Sequence, residues 1–249
     1  TAHDSSGNGN DGTLQNGPEW VDGVVGGALD FGGVDDYVVV DDDSALDLSS
    51  QISISAWVNL DSNSGPQAIV NKDAGGNGGY VLQIKDGNTD FYFHDGSSGY
   101  HCYGDIFIST DKWYLITATY NSSNVKIYVN DELDSTCTNT ASINTNNVPL
   151  YIGAYGGHSG ASGAYFSGTI DEVIIWNRAL SPEEISELYE SYASPVFIDS
   201  IIPSICSSEI SFFSKPSFEH LRRKWFTKSF ISSNLNRNGG RFMGTTFNL

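Results

Sequence analysis

Hydrophobic and polar residues alternate along much of this chain with a period of two, which is typical of strands that bury one face. In 52–58 every second residue is apolar, and in 91–93 two phenylalanines flank Tyr92. Clusters of Gly, Asn, Asp and Ser such as 61–66 and 121–124 separate these runs and predict turns. About ten to twelve such strands predict two packed antiparallel sheets.

A short helix is predicted after the strand 170–176 and the loop 177–179 that follows it. Ser181 can cap its start, Pro182 suits the first helical position, and Glu184 stands where a capping-box carboxylate reaches back. Three tryptophans lie within predicted strands, and we expect them to fill the core or its rim rather than bind sugar. They are Trp57, Trp113 and Trp176.

Charge is unevenly divided along the 249 residues, whose formal net charge is −18. Residues 1–195 carry 5 Lys and Arg against 27 Asp and Glu, whereas 196–249 carry 7 against 3. Such an acidic surface repels nucleic acid, although solubility alone explains it equally well. The sequence contains no run of 18 apolar residues, so no membrane span is predicted. Few lysines and many Asn, Ser and Gly residues favour an extracellular, secreted or cell-surface protein.

Several motifs occur in an order that resembles the laminin-G-like, concanavalin-A-like jelly-roll domains over residues 3–193. The resemblance implies an all-β, two-sheet antiparallel jelly-roll sandwich with one short C-terminal helix. It therefore implies a domain at 1–193 and a C-terminal extension at 194–249, which has no counterpart in the family. The motifs are DSSGNGNDGTL (4–14), GGALDFGGVDDYVVV (26–40), SISAWV (53–58), KWYLITATYN (112–121), VKIYVNDEL (125–133), PLYIGAY (149–155) and GTIDEVIIWNRALSPEEISELY (168–189).

The loop at 4–10 predicts a calcium site. Oxygen-bearing side chains occupy its first, third and fifth positions, and Gly9 the sixth, as in the first half of a calcium loop. The family resemblance places the loop near the strand that begins Ile-Asp-Glu at 170. A plain Asx-rich turn is the alternative, and 35–36 is a second possible metal position. The predicted Ca²⁺ ligands are Asp4, Ser6, Asn8, Asn10 and Asp171.

Two loops, 99–103 and 154–165, combine Tyr and His with Gly and Ser. Aromatic faces stack on sugar rings, and small polar residues bond their hydroxyls, so these loops predict a glycan-binding surface. The alternative is that the tyrosines pack over strand ends. The candidate ligand-binding residues are Tyr100, His101, Tyr155, His158 and Tyr165.

Three cysteines leave one unpaired. Cys102 and Cys137 lie in predicted strands and are candidates for a disulfide in an oxidising compartment. Cys206, in the extension, is then free or intermolecular. Asn121 begins an Asn-Ser-Ser triplet and is a candidate glycosylation site.

Catalytic motifs are sparse. No Glu occurs between Trp20 and Asp131, and no strand carries the carboxylate triplet of the endo-glucanase branch of the fold. The five histidines show no metal-ligand spacing. We therefore expect a non-enzyme, with a hydrolase or lyase as the least favoured function.

The extension bears on how the sheets are completed. Related domains carry a strand before the Asp4 loop, where this chain has only residues 1–3, so a slot beside the last strand is expected to be open. The apolar runs 196–202 and 210–213 are candidates to fill it, in the same chain or in a neighbour's.

The leading hypothesis is a calcium-stabilised extracellular module for adhesion or carbohydrate binding, whose partner is a glycan or a surface protein. The alternative is a filament or surface-layer subunit that self-associates through 196–213.

Overall fold

The computed structural model describes residues 1–73, 75–157, 160–193 and 244–248. Two compact units are distinguished. The first comprises Thr1–Ser186 together with Gly244–Leu249 and contains both large sheets, and the second comprises Glu187–Met243. In chain order the elements are β1 (His3–Asp4), β2 (Gly12–Gln15), β3 (Glu19–Asp22), β4 (Gly27–Gly32), β5 (Tyr37–Val40), a 3₁₀ turn (Ser44–Leu46), β6 (Ile52–Leu60), β7 (Pro66–Asn71), β8 (Gly79–Lys85), β9 (Asn88–His94), β10 (Gly99–Phe107), β11 (Trp113–Tyr120), β12 (Asn124–Val129), β13 (Glu132–Thr138), β14 (Leu150–Ile152), β15 (Tyr155–Gly157), β16 (Gly160–Gly163), β17 (Ser167–Trp176), α1 (Pro182–Ala193) and β18 (Gly244–Asn248).

Two antiparallel sheets form the body of the first unit. One has the strand order β10-β9-β8-β7-β14-β5-β2. The other runs β1-β18-β17-β6-β11-β12-β13, with β4 attached to β17 and β3 to β4. The hairpin β15-β16 is a separate two-stranded ribbon. This is the predicted two-sheet jelly-roll-like sandwich with one short helix.

The core lies between the two sheets and is built by the alternation seen in the sequence. On β9, Phe91 and Phe93 are buried in the core, and Tyr92 points to the opposite face of the sheet. On β6, Ile52 and Ile54 are core residues, and Trp57 is buried on the other face. Trp57 and Trp176 are thus structural, as expected, because each is 5–6 % exposed.

The start of α1 matches its predicted chemistry. The Ser181 hydroxyl accepts from the Glu184 amide at 3.3 Å, and the Glu184 carboxylate accepts from the Ser181 amide at 2.9 Å. The Arg178 guanidinium forms a bidentate ion pair with the Glu184 carboxylate, with N–O distances of 2.7 and 2.8 Å. The Ser53 hydroxyl, on β6, donates to the Arg178 carbonyl and accepts from the Leu180 amide. These bonds hold the segment before α1 against β6.

No helix among the described residues is long and apolar enough to cross a membrane.

One side of the sandwich is closed covalently. The edge strands β10 and β13 belong to different sheets, and Cys102 on β10 forms a disulfide with Cys137 on β13, their Cα atoms 5.7 Å apart. Beside it, the Asp134 carboxylate accepts from the amides of Asp105 and Ile106, both at 2.8 Å. The two edges are therefore joined both covalently and by hydrogen bonds.

The opposite side is completed from the C-terminal extension. Strand β18 pairs with β17 on one side and with β1 on the other. This is the slot that the sequence predicts to be open. The segments predicted to fill it, 196–202 and 210–213, lie outside the described residues, and the strand in the slot is Gly244–Asn248.

Candidate functional site

The outer face of the seven-stranded sheet carries a group of polar and aromatic side chains. On β9, Asp90 and Tyr92 alternate with core phenylalanines and therefore lie on this face. The strand register sets Gln83 of β8 opposite Asp90, and His101 of β10 opposite Tyr92. We call these residues, with the two tyrosines described next, the outer-face cluster: Gln83, Asp90, Tyr92, His101, Tyr103 and Tyr155.

Three rings of the cluster form a continuous row. The Tyr92 and His101 ring centroids are 4.6 Å apart. His101 stacks on Tyr103 with centroids 5.2 Å apart and an interplanar angle of 5°. Tyr103 is 49 % exposed, so the row ends in an accessible aromatic face.

A buried carboxylate anchors this row from below. Asp90 is fully buried, and its Oδ2 atom accepts from Gln83 Nε2 at 2.7 Å and lies 3.0 Å from His101 Nδ1. Burial raises the pKa of the Asp90 carboxyl above its ordinary value, and the nearby His101 partly counteracts this. The His101 ring nitrogen thus faces the buried carboxyl, and the side chain that carries it is 40 % exposed.

The hairpin β15-β16 meets the same face. The Tyr155 hydroxyl donates to Gln83 Oε1 at 3.0 Å, and the Gly156 amide donates to Asn71 Oδ1 at 3.0 Å. A Cβ at Gly156 would overlap the Tyr151 ring, so the close approach of the hairpin requires glycine. Burial, followed by the charges of Asp90 and Asp73, raises the pKa of the Tyr155 hydroxyl. Tyr155 is therefore a neutral donor.

One buried amide donor beside the hairpin lacks an acceptor among the residues that the structure describes. Asn71 is fully buried, and its Nδ2 atom makes no hydrogen bond within the described part of the chain. A buried donor without a partner costs about 1–3 kcal/mol. A buried water molecule is the kind of partner that such a position suits.

The structure brings together two of the five predicted ligand-binding residues, His101 and Tyr155. Tyr100 lies on the other face of β10, where it packs against the core and its hydroxyl donates to Asp95 at 2.8 Å. It therefore behaves as the alternative predicted, a tyrosine packed at a strand end. Tyr165 is half-buried in the segment between β16 and β17, and His158 lies outside the described residues.

Sequence reasoning missed three members of the cluster: Gln83, Asp90 and Tyr92. Tyr103 lies within the predicted segment 99–103 but was not among the named candidates. The alternation in 91–93 does place Tyr92 off the core, and it was the available signal. The pairing of Gln83 with Asp90 depends on the register between β8 and β9, which the residue pattern does not specify.

The predicted calcium ligands occupy two places. Asp4 accepts from the Ser6 amide at 2.8 Å and from the Asn10 amide at 3.0 Å, as in the Asx-rich turn named as the alternative. The fully buried Asp171 carboxylate accepts from the amides of Val25 and Glu172, at 3.2 and 2.8 Å. Strand β18 lies between the strands that carry Asp4 and Asp171. Calcium binding by the set therefore stays a prediction.

The candidate glycosylation site lies in a turn. Asn121 is exposed, and its Oδ1 atom accepts from the amides of Ser123 and Asn124 at 3.1 and 2.8 Å. The side chain is thus accessible at the surface, and its glycosylation remains a prediction.

Comparison with known proteins gives one family match. The sequence model Laminin_G_3, described as the concanavalin A-like lectin/glucanases superfamily, matches residues 31–186. No curated protein matches the chain in sequence.

Solved structures share the fold. Domain 4 of AbnA, a GH43 extracellular arabinanase from Geobacillus stearothermophilus in complex with arabinotriose, is 24 % identical, with a TM-score of 0.61 over 74 % of this chain and 91 % of that one. The binding domain of botulinum neurotoxin DC in complex with SialylT is 19 % identical, with a TM-score of 0.62 over 77 % of this chain and 49 % of that one. The botulinum neurotoxin serotype D ligand binding domain in complex with N-acetylneuraminic acid is 21 % identical, with a TM-score of 0.55 over 73 % of this chain and 46 % of that one. The chain thus spans about half the length of the neurotoxin domains.

Proposed function

Because this chain belongs to the concanavalin A-like lectin/glucanases superfamily through residues 31–186, we propose that it is a non-catalytic carbohydrate-binding domain whose ligand lies on the outer-face cluster. The observation that carries the proposal is the ring row Tyr92–His101–Tyr103 above the buried Asp90. Aromatic faces stack on the CH groups of a sugar ring, and fixed polar groups at the edge bind its hydroxyls. The His101 side chain, which is 40 % exposed, supplies a polar group at the edge of that row.

The charge of the site favours a neutral glycan. Asp73 and Asp90 lie close enough to raise the pKa values of the Tyr92 and Tyr155 hydroxyls, after the larger effect of burial. Lys85 and His101 act on the Asp90 pKa in the opposite direction to burial, and residues 1–195 carry a large acidic excess. A carboxylate-bearing sugar is therefore repelled, whereas an uncharged pentose or hexose oligosaccharide is not.

Three observations support an extracellular adhesion role. The Cys102–Cys137 disulfide is typical of oxidising compartments. Asn121 is exposed for glycan attachment. One structural neighbour is a domain of an extracellular arabinanase. Binding without catalysis accords with neurotoxin neighbours that are themselves binding domains.

Replacing Tyr103 with alanine is expected to weaken glycan binding by about tenfold, equivalent to roughly 1.4 kcal/mol, because the exposed end of the ring row is lost. A glycan array with neutral and sialylated oligosaccharides identifies the ligand, and calorimetry then measures the affinity of both proteins. Neutral arabino-oligosaccharides and sialyllactose are the first probes to compare.

The matched control is Trp20→Ala. Trp20 on β3 is also 49 % exposed but belongs to the other sheet, so its removal should leave binding unchanged. Equal losses in both variants would argue that the ligand lies elsewhere, and an array without any signal would reject the proposed function.

Calcium is proposed to stabilise the Asp4 loop. At a concentration one hundred times its dissociation constant, a ligand that binds only the folded state adds about 2.7 kcal/mol to the free energy of unfolding. Calcium added to chelator-treated protein should therefore raise the melting temperature, and Asp4→Asn should abolish the rise. Asp43→Asn, which alters the carboxylate that caps the 3₁₀ turn, serves as the control. A melting temperature that is insensitive to both chelator and calcium would eliminate the site.

A self-assembling extracellular subunit is the second candidate function. It is favoured by one observation, the pairing of β17 with a strand that follows residue 193 in the chain. Strands supplied from outside a domain are a known route to linked copies.

A further inference from the structure

Strand β17 has two different partners along one of its edges. Ser167–Ile170 pairs with β4, and Val173–Trp176 pairs with β18, while β6 accompanies the opposite edge. The change occurs where the register between β17 and β6 shifts, around Glu172, whose φ is 48°. Because β4 ends its pairing at Ile170, the second half of β17 depends on β18 for its edge hydrogen bonds.

Strand β1 cannot replace β18 in this position. His3 and Asp4 pair with Asn248 and Phe247, and Phe247 pairs in turn with Val173 of β17. Neighbouring strands lie about 4.8 Å apart, so β1 stands roughly 10 Å from β17. Without β18 a gap one strand wide remains, with unpaired backbone groups on both of its sides.

The segment that fills the gap is joined to the domain by a long stretch of chain. Fifty residues, 194–243, separate Ala193 from Gly244. The Thr-Thr-Phe sequence within β18 favours extended structure. The formal net charge of the extension at 196–249 is positive, whereas that of residues 1–195 is strongly negative. Opposite net charges attract, within one chain or between two chains.

From this arrangement we infer that the gap between β1 and β17 is a strand-acceptor site specific for residues 244–248, and that a second copy of this chain supplies that strand when protein concentration is high. A tethered segment competes at an effective concentration of about 1 mM or below, so the chain's own strand dominates in dilute solution. Reciprocal exchange gives a dimer, and one-way exchange gives a head-to-tail series of copies. The inference underlies the second candidate function and is independent of glycan binding.

A peptide with the sequence of residues 242–249 tests the acceptor site. In full-length Phe247→Pro, the chain's own strand is disabled, because Phe247 has β1 on one side and β17 on the other, and proline lacks the N–H that one of them requires. The fluorescent peptide should bind this variant saturably and bind the wild-type chain at least about tenfold more weakly, since the wild-type strand competes. Phe247→Tyr keeps the N–H and should behave like wild type. A peptide carrying the proline should not bind.

Sedimentation velocity of the wild-type chain over a wide concentration range tests the exchange. Dimers or longer species that grow with concentration, and that are absent in Phe247→Pro, are the expected result. No peptide binding to a folded Phe247→Pro chain would overturn the acceptor site. Wild-type protein that stays monomeric at every concentration would overturn exchange between copies, and this measurement needs no variant to fold. Glycan binding measured on the same samples shows whether the carbohydrate proposal stands or fails separately.

Discussion

Replacing Lys72 with methionine is expected to lower the free energy of unfolding by about 3–5 kcal/mol. The lysine is 1 % exposed, and its ammonium lies 2.6 Å from Asp42 Oδ1 and 3.3 Å from Asp47 Oδ1. It also donates to the carbonyls of Asn146 and Val148 at 3.1 and 3.0 Å. Methionine fills the space but leaves two carboxylates and two carbonyls without their cation. Thermal unfolding should show a melting temperature lower by roughly 10 °C.

Lys112→Met is the matched control. Lys112 is exposed in the turn before β11, and substitutions at such surface positions change stability by about 0.5 kcal/mol or less. Equal changes in the free energy of unfolding for the two variants would show that the buried ion pairs of Lys72 contribute nothing measurable to stability.

Removing the disulfide with Cys102→Ser and Cys137→Ser together is expected to cost about 4 kcal/mol on the chain-entropy account. The bridge joins positions 35 residues apart, and its loss frees the edges of the two sheets. Urea unfolding with and without reductant measures the effect. Because Cys102 directly follows His101, we also expect weaker glycan binding in this variant.

Reductant should destabilise the wild-type chain and leave the double variant unchanged. Cys206→Ser, which removes the remaining thiol, is the control and should retain the sensitivity to reductant. A double variant as stable as wild type would show that the two edges are held without the covalent link.

Much of the fold follows from local patterns in the sequence. The alternation in 91–93 predicts which face of β9 enters the core, and the Ser181–Glu184 spacing predicts a capping box that the structure contains. Each of these depends on residues a few positions apart, whose relative placement the backbone geometry of strand or helix determines.

The outer-face cluster could not be predicted in the same way. Gln83, Asp90, His101 and Tyr155 come from three strands and a hairpin, and only the register of β8, β9 and β10 brings them together. Similarly, composition favoured 196–202 and 210–213 as strand donors, whereas the described strand is 244–248, from an Asn- and Gly-rich region. Strand pairing over such distances depends on the whole sandwich rather than on local propensity.

The late position of β18 in the sequence affects how the protein is made. Translation proceeds at about 5–20 residues per second, so the roughly 70 residues from Trp176 to Asn248 take about 4–14 s to synthesise. Until β18 has been synthesised, the second half of β17 has one edge whose backbone groups lack a pairing strand. Neighbouring nascent chains on the same messenger present the same bare edge. Until the closing strand exists, that edge is open to pairing with any extended chain nearby.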